Sequence, residues 1–249
     1  MRNVHARSGA VPLHTVQQLW RPRRRLFGEV TRPDLTKTDF AFLIPFSTAT
    51  NRLATMARKS LDLLCATPTQ WVQVILDDFD SFLADHANCE RKASALAMSL
   101  VVKYPQRTAL IAPLIAIARE ELEHFEQVYA IMRDRGVALI KDEPDPYVNA
   151  LGALMRHGRE ERLLDRLLVS SIVECRGAER FRMVAEALVD ADLQRFYTTL
   201  WKAETKHGHQ FVDMALRCYP ADAVYPRLQA LIEGEAEIIA SLPWRASLH

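Results

Sequence analysis

Apolar positions recur every three to four residues over four long stretches of the chain, the period of a helix that buries one face. The stripes read Leu83, Ala87, Glu90, Ser94, Ala97; then Leu114, Ile117, Glu121, His124, Val128, Ile131; then Leu167, Ser170, Glu174, Gly177, Phe181; then Tyr197, Leu200, Glu204, His207, Phe211, Met214. Sustained period-two alternation with Asn-Gly or Asp-Gly turns is missing, so strands are not expected. The pattern predicts an all-α fold.

Punctuation bounds these helices. The first opens at Thr67-Pro68-Thr69-Gln70, a capping-box pattern with proline at the first helical position, and runs to about Tyr104, before Pro105. The second starts near Gln106, carries Pro113 where a kink is expected, and closes at Arg133-Asp134-Arg135-Gly136, basic residues followed by the glycine of a C-terminus. An acid- and proline-rich loop from Lys141 to Pro146 leads through a shorter helix to the third, about Arg159 to Leu188. The fourth opens at Asp190 or Asp192 and stops before Pro220. A last amphipathic piece, Arg227 to Leu242, is expected to pack on the outside. The connection between the second and third long helices is much longer than the other two. That length fits two helical hairpins joined by a crossover, the ferritin-like four-helix arrangement. The expected domain division is residues 1–60, an irregular basic arm with a short helix near Leu53 to Leu64, and residues 61–249, the bundle with its C-terminal helix.

Composition agrees with a soluble helical protein: 249 residues, 49% hydrophobic and 25% charged, with only 8 glycines. The longest apolar-and-proline run, Ala109 to Ala118, is far short of the roughly 20 residues of a membrane span. No secretory signal is apparent, so the cytoplasm is the expected location. Cys65, Cys89, Cys175 and Cys218 are widely separated, which argues against both a zinc ribbon and a disulfide scaffold. The net charge of +1 hides an imbalance, because residues 1–37 hold eight basic against two acidic side chains and leave −5 for the remainder. Such an arm is either a nucleic-acid contact or a disordered leader.

The chemistry lies on the stripes. Glu121-Leu122-Glu123-His124 and Glu204-Thr205-Lys206-His207 are both Glu-x-x-His, and the three-residue step puts each pair on one helical face. These residues occupy core-facing positions, where an unpaired charge is costly and a metal compensates it. Glu90 and Glu174 stand in matching core positions on the other two helices, at 31 residues before Glu121 and 30 before Glu204. One glutamate from each of two helices and a Glu-x-x-His from each of the other two form the ligand inventory of di-iron and di-manganese bundles. Hard oxygen donors with one imidazole per metal suit iron or manganese, and iron is the preferred reading. Of the neighbours, His86 falls on the Glu90 face as a hydrogen-bonding histidine. Glu123, Glu126 and Glu179 fall off the stripes and are expected to be solvated. His209 is not expected to be a ligand, and Tyr129 and Tyr197 read as core or interface aromatics rather than radical sites.

By resemblance to other di-iron carboxylate proteins, Glu121 and Glu204 would bridge two irons, Glu90 and Glu174 would bind one each, and His124 and His207 would cap one each. Asp85-His86-Ala87-Asn88-Cys89-Glu90-Arg91-Lys92-Ala93, Glu120-Glu121-Leu122-Glu123-His124-Phe125 and Glu174-Cys175-Arg176-Gly177-Ala178-Glu179-Arg180-Phe181 resemble one family in particular, the tRNA 2-methylthio-N6-isopentenyladenosine hydroxylases. The resemblance covers about Leu61 to Pro220, with no departure at the six ligand positions. It implies a di-iron monooxygenase with dioxygen as co-substrate, which hydroxylates the isopentenyl group of a hypermodified adenosine in the tRNA anticodon loop. It also implies an outside electron donor such as a ferredoxin or reductase, no membrane, and a monomer or small oligomer. Basic residues are then expected at the pocket entrance, with Arg156, His157, Arg159, Arg162 and Arg166 as candidates, although Glu160, Glu161 and Asp165 balance them. The competing classes are a non-enzymatic iron-storing bundle and another di-iron oxidase or peroxidase. A slot ringed by arginine favours tRNA, whereas a long dry tunnel favours an acyl chain.

Overall fold

The structure, a computed structural model, describes residues 63–249. The basic arm lies outside these residues, as does the expected short helix except for Leu63 and Leu64, which are not helical. Among the described residues there are seven helices and no strand: α1 (Gln70–Asp77), α2 (Phe79–Lys103), α3 (Thr108–Arg135), α4 (Pro146–Ala153), α5 (Arg159–Ala187), α6 (Ala191–Cys218) and α7 (Ala221–Ser241).

The first long helix is broken where the periodicity predicts continuity. Asp78 leaves the helical region (φ −141°, ψ 63°) and its carboxylate accepts from the Ser81 backbone N–H at 3.2 Å, capping α2. Thr67 is not a helix cap either. Its N–H and hydroxyl both donate to the Glu179 carboxylate, at 3.0 and 2.7 Å. The signals at Gly136 and Asp190 act as expected. Gly136 adopts the left-handed conformation (φ 73°) that closes α3. Asp145 and Asp190 accept from the first backbone N–H groups of α4 and α6. The last helix begins at Ala221, six residues before the expected start, with Pro226 accommodated in its second turn. It packs against the bundle through one face, on which Val224, Leu228, Leu231, Ile232 and Glu235 are buried.

Helices α2 and α3 form one hairpin and α5 and α6 the other, joined by a crossover that carries α4. The hairpins meet along α3 and α6, whereas α2 and α5 make no close backbone approach. On α5 and α6 an apolar layer containing Phe181 and Tyr197 lies on one side of Glu174, Glu204 and His207, and a second containing Leu167, Ile172, Phe211 and Met214 on the other. On α2 and α3, Leu83, Val128 and Met132 flank the carboxylates on one side, with Leu100, Leu114 and Ile117 beyond them on the other. A polar layer is therefore held between two dry ones.

Buried ion pairs anchor the outer helices to α5. Arg176 Nε donates to Glu235 Oε1 of α7 at 2.8 Å, and Tyr147 of α4 donates to the same oxygen at 3.0 Å. Asp165 receives Arg156 at 2.7 Å and Arg227 at 2.8 Å.

Candidate metal centre

All six side chains singled out by spacing converge between the hairpins. Donor atoms of Glu90, Glu121, His124 and Glu204 lie within 4.8 Å of one another, and so do those of Glu121, Glu174, Glu204 and His207. The two groups share Glu121 and Glu204. His124 Nδ1 is 3.2 Å from Glu204 Oε1 and 3.3 Å from Glu121 Oε2, and His207 Nδ1 is 2.8 Å from Glu121 Oε1. Yet Glu121 Oε1, Glu204 Oε1 and His207 Nδ1 are buried without a hydrogen bond. Native structures seldom leave such groups unsatisfied, and nitrogen and carboxylate donors crowded about one point suit a cation.

Electrostatics say the same. Burial pushes Glu90 and Glu174 above the ordinary carboxylate range. Burial and then the Glu204 charge raise Glu121 to about 7. Burial works to raise Glu204, but the His124 and His207 rings beside it prevail and hold it low. Burial opposes charge on the two histidines, but their carboxylate neighbours prevail and raise His124 to about 12 and His207 to about 10. Four carboxylates in a dry layer thus demand positive charge, and divalent cations satisfy that demand while displacing the histidine protons. The donor set, six side chains rich in carboxylate oxygen, fits a hard divalent metal such as iron.

Two supporting residues emerge, of which spacing singles out His86 but not Glu120. Glu120 Oε2 accepts from His207 Nε2 at 2.9 Å and from Lys206 Nζ at 3.0 Å, which leaves His207 Nδ1 turned to the centre. The only signal is its adjacency to Glu121. His86, fully buried, lies 2.6 Å through Nε2 from Glu90 Oε1 and 3.2 Å through Nδ1 from the Tyr197 hydroxyl. Burial lowers its pKa to about 3, so it is a neutral ring that donates to Glu90 and accepts from Tyr197. Its counterpart four residues before Glu174 is Ser170.

Glu123, Glu126 and His209 are exposed, as the pattern predicts. Glu179 corrects it: half-buried rather than solvated, it takes the Thr67 hydrogen bonds and pairs with Arg176. Arg156 is committed to Asp165 rather than to a pocket entrance.

The gap between α2 and α5 is a cavity of about 340 Å³ that reaches Glu90, Glu174 and Glu204. It opens past the exposed Glu143 and Asn149, with Lys92 and Arg166 also on its wall. Among the described residues no helix is long and apolar enough to cross a membrane.

The sequence profile of tRNA-(MS2IO6A)-hydroxylase, MiaE, matches residues 54–249. A Pseudomonas putida protein named tRNA 2-(methylsulfanyl)-N(6)-isopentenyladenosine(37) hydroxylase is 38% identical, over 71% of this chain and 86% of its own length. Its namesake from Salmonella typhimurium is 26% identical over 72% of this chain and 84% of its own. Among solved structures, protein 43 with aldehyde deformylating oxygenase activity from Synechococcus superposes with a TM-score of 0.72 at 32% identity, covering 75% of this chain and 94% of that one.

Proposed function

The chain belongs to the tRNA-(MS2IO6A)-hydroxylase family, MiaE, and we propose that it hydroxylates the isopentenyl side chain of 2-methylthio-N6-isopentenyladenosine in the tRNA anticodon loop. In this reading Glu90, Glu121, His124, Glu174, Glu204 and His207 would hold two iron ions, Glu121 and Glu204 being common to both donor groups. The observation that carries it is the pair of overlapping donor groups sharing those two glutamates, set at the floor of a cavity.

Bound iron supplies, with dioxygen and two electrons from an outside donor of the ferredoxin or reductase kind, the oxidising power that no side chain has. The protein's own residues do the rest. Glu120 fixes the His207 tautomer, and His86 orients Glu90 from the side away from the cavity. Val169, Val173, Ala93 and Leu96 give the cavity an apolar wall suited to an isopentenyl group. An acyl chain would call for a long dry tunnel, whereas this cavity is short, open and charged at its rim, which favours a nucleotide.

The test is to load the protein with ferrous iron and supply reductant, dioxygen and tRNA from cells lacking this gene, then look for the hydroxylated nucleoside in a digest. Iron at two per chain with the nucleoside formed is the expected result. Glu204→Ala should lose both irons, whereas Glu90→Ala should keep one. Full iron loading without the nucleoside would sink the tRNA assignment, and Glu204→Ala retaining two irons would sink the bridging role.

A further inference from the structure

Two polar groups on the α5 wall of the cavity are left without partners by the rest of the described protein. The Arg166 guanidinium is half-buried, and among the described residues no oxygen accepts from it. Burial, then Arg162 one turn away, pull its pKa below the ordinary arginine value. Three other arginines of this region do find acceptors, Arg156 and Arg227 at Asp165 and Arg176 at Glu235. Lys92 on the opposite wall is paired with Asp142 at 2.8 Å. Ser170 is only 4% exposed and its hydroxyl makes no hydrogen bond.

Arg166, Ser170 and Glu174 stand four residues apart along α5, and all three line the cavity. They form a row about 12 Å long on one helical face, running from the rim to a metal-binding carboxylate. Val169 and Val173 flank the row. In order from the rim, the wall offers a cation, a hydroxyl and an apolar surface ending at the metal. A nucleotide carries the complementary order: phosphate, base edge, apolar substituent. A half-buried cation without a counter-ion is costly unless a ligand supplies the anion.

Building on the tRNA reading, we infer that Arg166 binds the backbone phosphate flanking the modified adenosine and that Ser170 hydrogen-bonds the edge of its base. Helix α5 thereby measures the nucleotide from its backbone to the reacting side chain.

The experiment uses the iron-loaded full chain and two ligands, an anticodon stem-loop RNA carrying the modified adenosine and the same nucleoside without phosphate. Affinities are measured between about 50 and 200 mM salt. Arg166→Gln is expected to weaken RNA binding about tenfold, to lower the slope of log K against log salt by about one, and to leave nucleoside binding unchanged. Arg166→Lys is expected to keep the slope. Ser170→Ala is expected to weaken both ligands by about fivefold. Because Arg166 lacks a partner, Arg166→Gln should melt no lower than the parent protein. An unchanged slope and RNA affinity, an equal loss on RNA and nucleoside, or a lower melting temperature would each overturn the phosphate role. Unchanged binding of the nucleoside by Ser170→Ala would overturn the base contact. A parent protein that binds modified and unmodified RNA equally would instead sink the tRNA reading, and this inference with it.

Discussion

Glu120 and Glu121 are neighbours in sequence with opposite tasks, because consecutive helical positions point about 100° apart. Glu121 enters the donor layer, while Glu120 reaches sideways to His207 on α6. Replacing Glu120 with Gln should lower iron affinity by about 10- to 100-fold with helicity unchanged, as measured by ferrous ion competition against a chromophoric chelator. Unchanged affinity would mean that His207 needs no outer partner. The six converging side chains were legible in the sequence because a ligand aimed inward from a helix must sit on the apolar stripe, and that stripe can be counted. Glu120 was not, since its partner lies 87 residues away on another helix. His86 was legible as a neighbour of Glu90, but its second bond, to Tyr197, needed the packed bundle.

Helix boundaries were most legible where a cap or glycine acts locally, as at Gly136 and Asp190. They were least so where a local rule met a tertiary one. Thr67 fits a capping box, yet it serves Glu179, because buried Arg176 and Arg180 gather acceptors there. Pro226 argues against a helix, yet α7 runs through it because Leu228, Leu231 and Ile232 on one side bury against α4, α5 and α6. Arg176→Met strips the partner from Glu235 at that seam and should cost about 3–5 kcal/mol in chemical denaturation. Adding Glu235→Leu should restore much of the loss; no recovery would show that the pair is not the cause. Acid attacks another joint between the same helices. Burial pushes Asp165 up, but hydrogen bonds from Arg156 and Arg227 prevail and hold it at about 2, below its ordinary 3.8. A depressed carboxyl stabilises the fold above its unfolded value and loses that contribution as pH falls from about 4 to about 2, here about 2 kcal/mol. Asp165→Asn should flatten that part of the stability profile, while an unaltered acid limb would place the loss elsewhere.

Across the whole molecule, the ferritin-like plan was legible from the order Glu, Glu-x-x-His, Glu, Glu-x-x-His and from the long crossover. What the sequence left open is which sides of the hairpins touch, since a stripe says what is buried but not against what. The hairpins join along α3 and α6 and part along α2 and α5. Each donor group draws three residues from one hairpin and borrows a glutamate from the other. The α3–α6 seam therefore acts as a spine, and metals held by the two donor groups would act as a clasp on the side where the helices themselves do not close. Removing iron should speed amide hydrogen exchange in α2 and α5 much more than in α3 and α6, as read by mass spectrometry of the two forms. Uniform change over all four helices would mean that the opening has no preferred side. On the clasp reading the gap so held together is the one that admits the nucleotide, so loss of metal would slacken the substrate cavity as well as remove the chemistry.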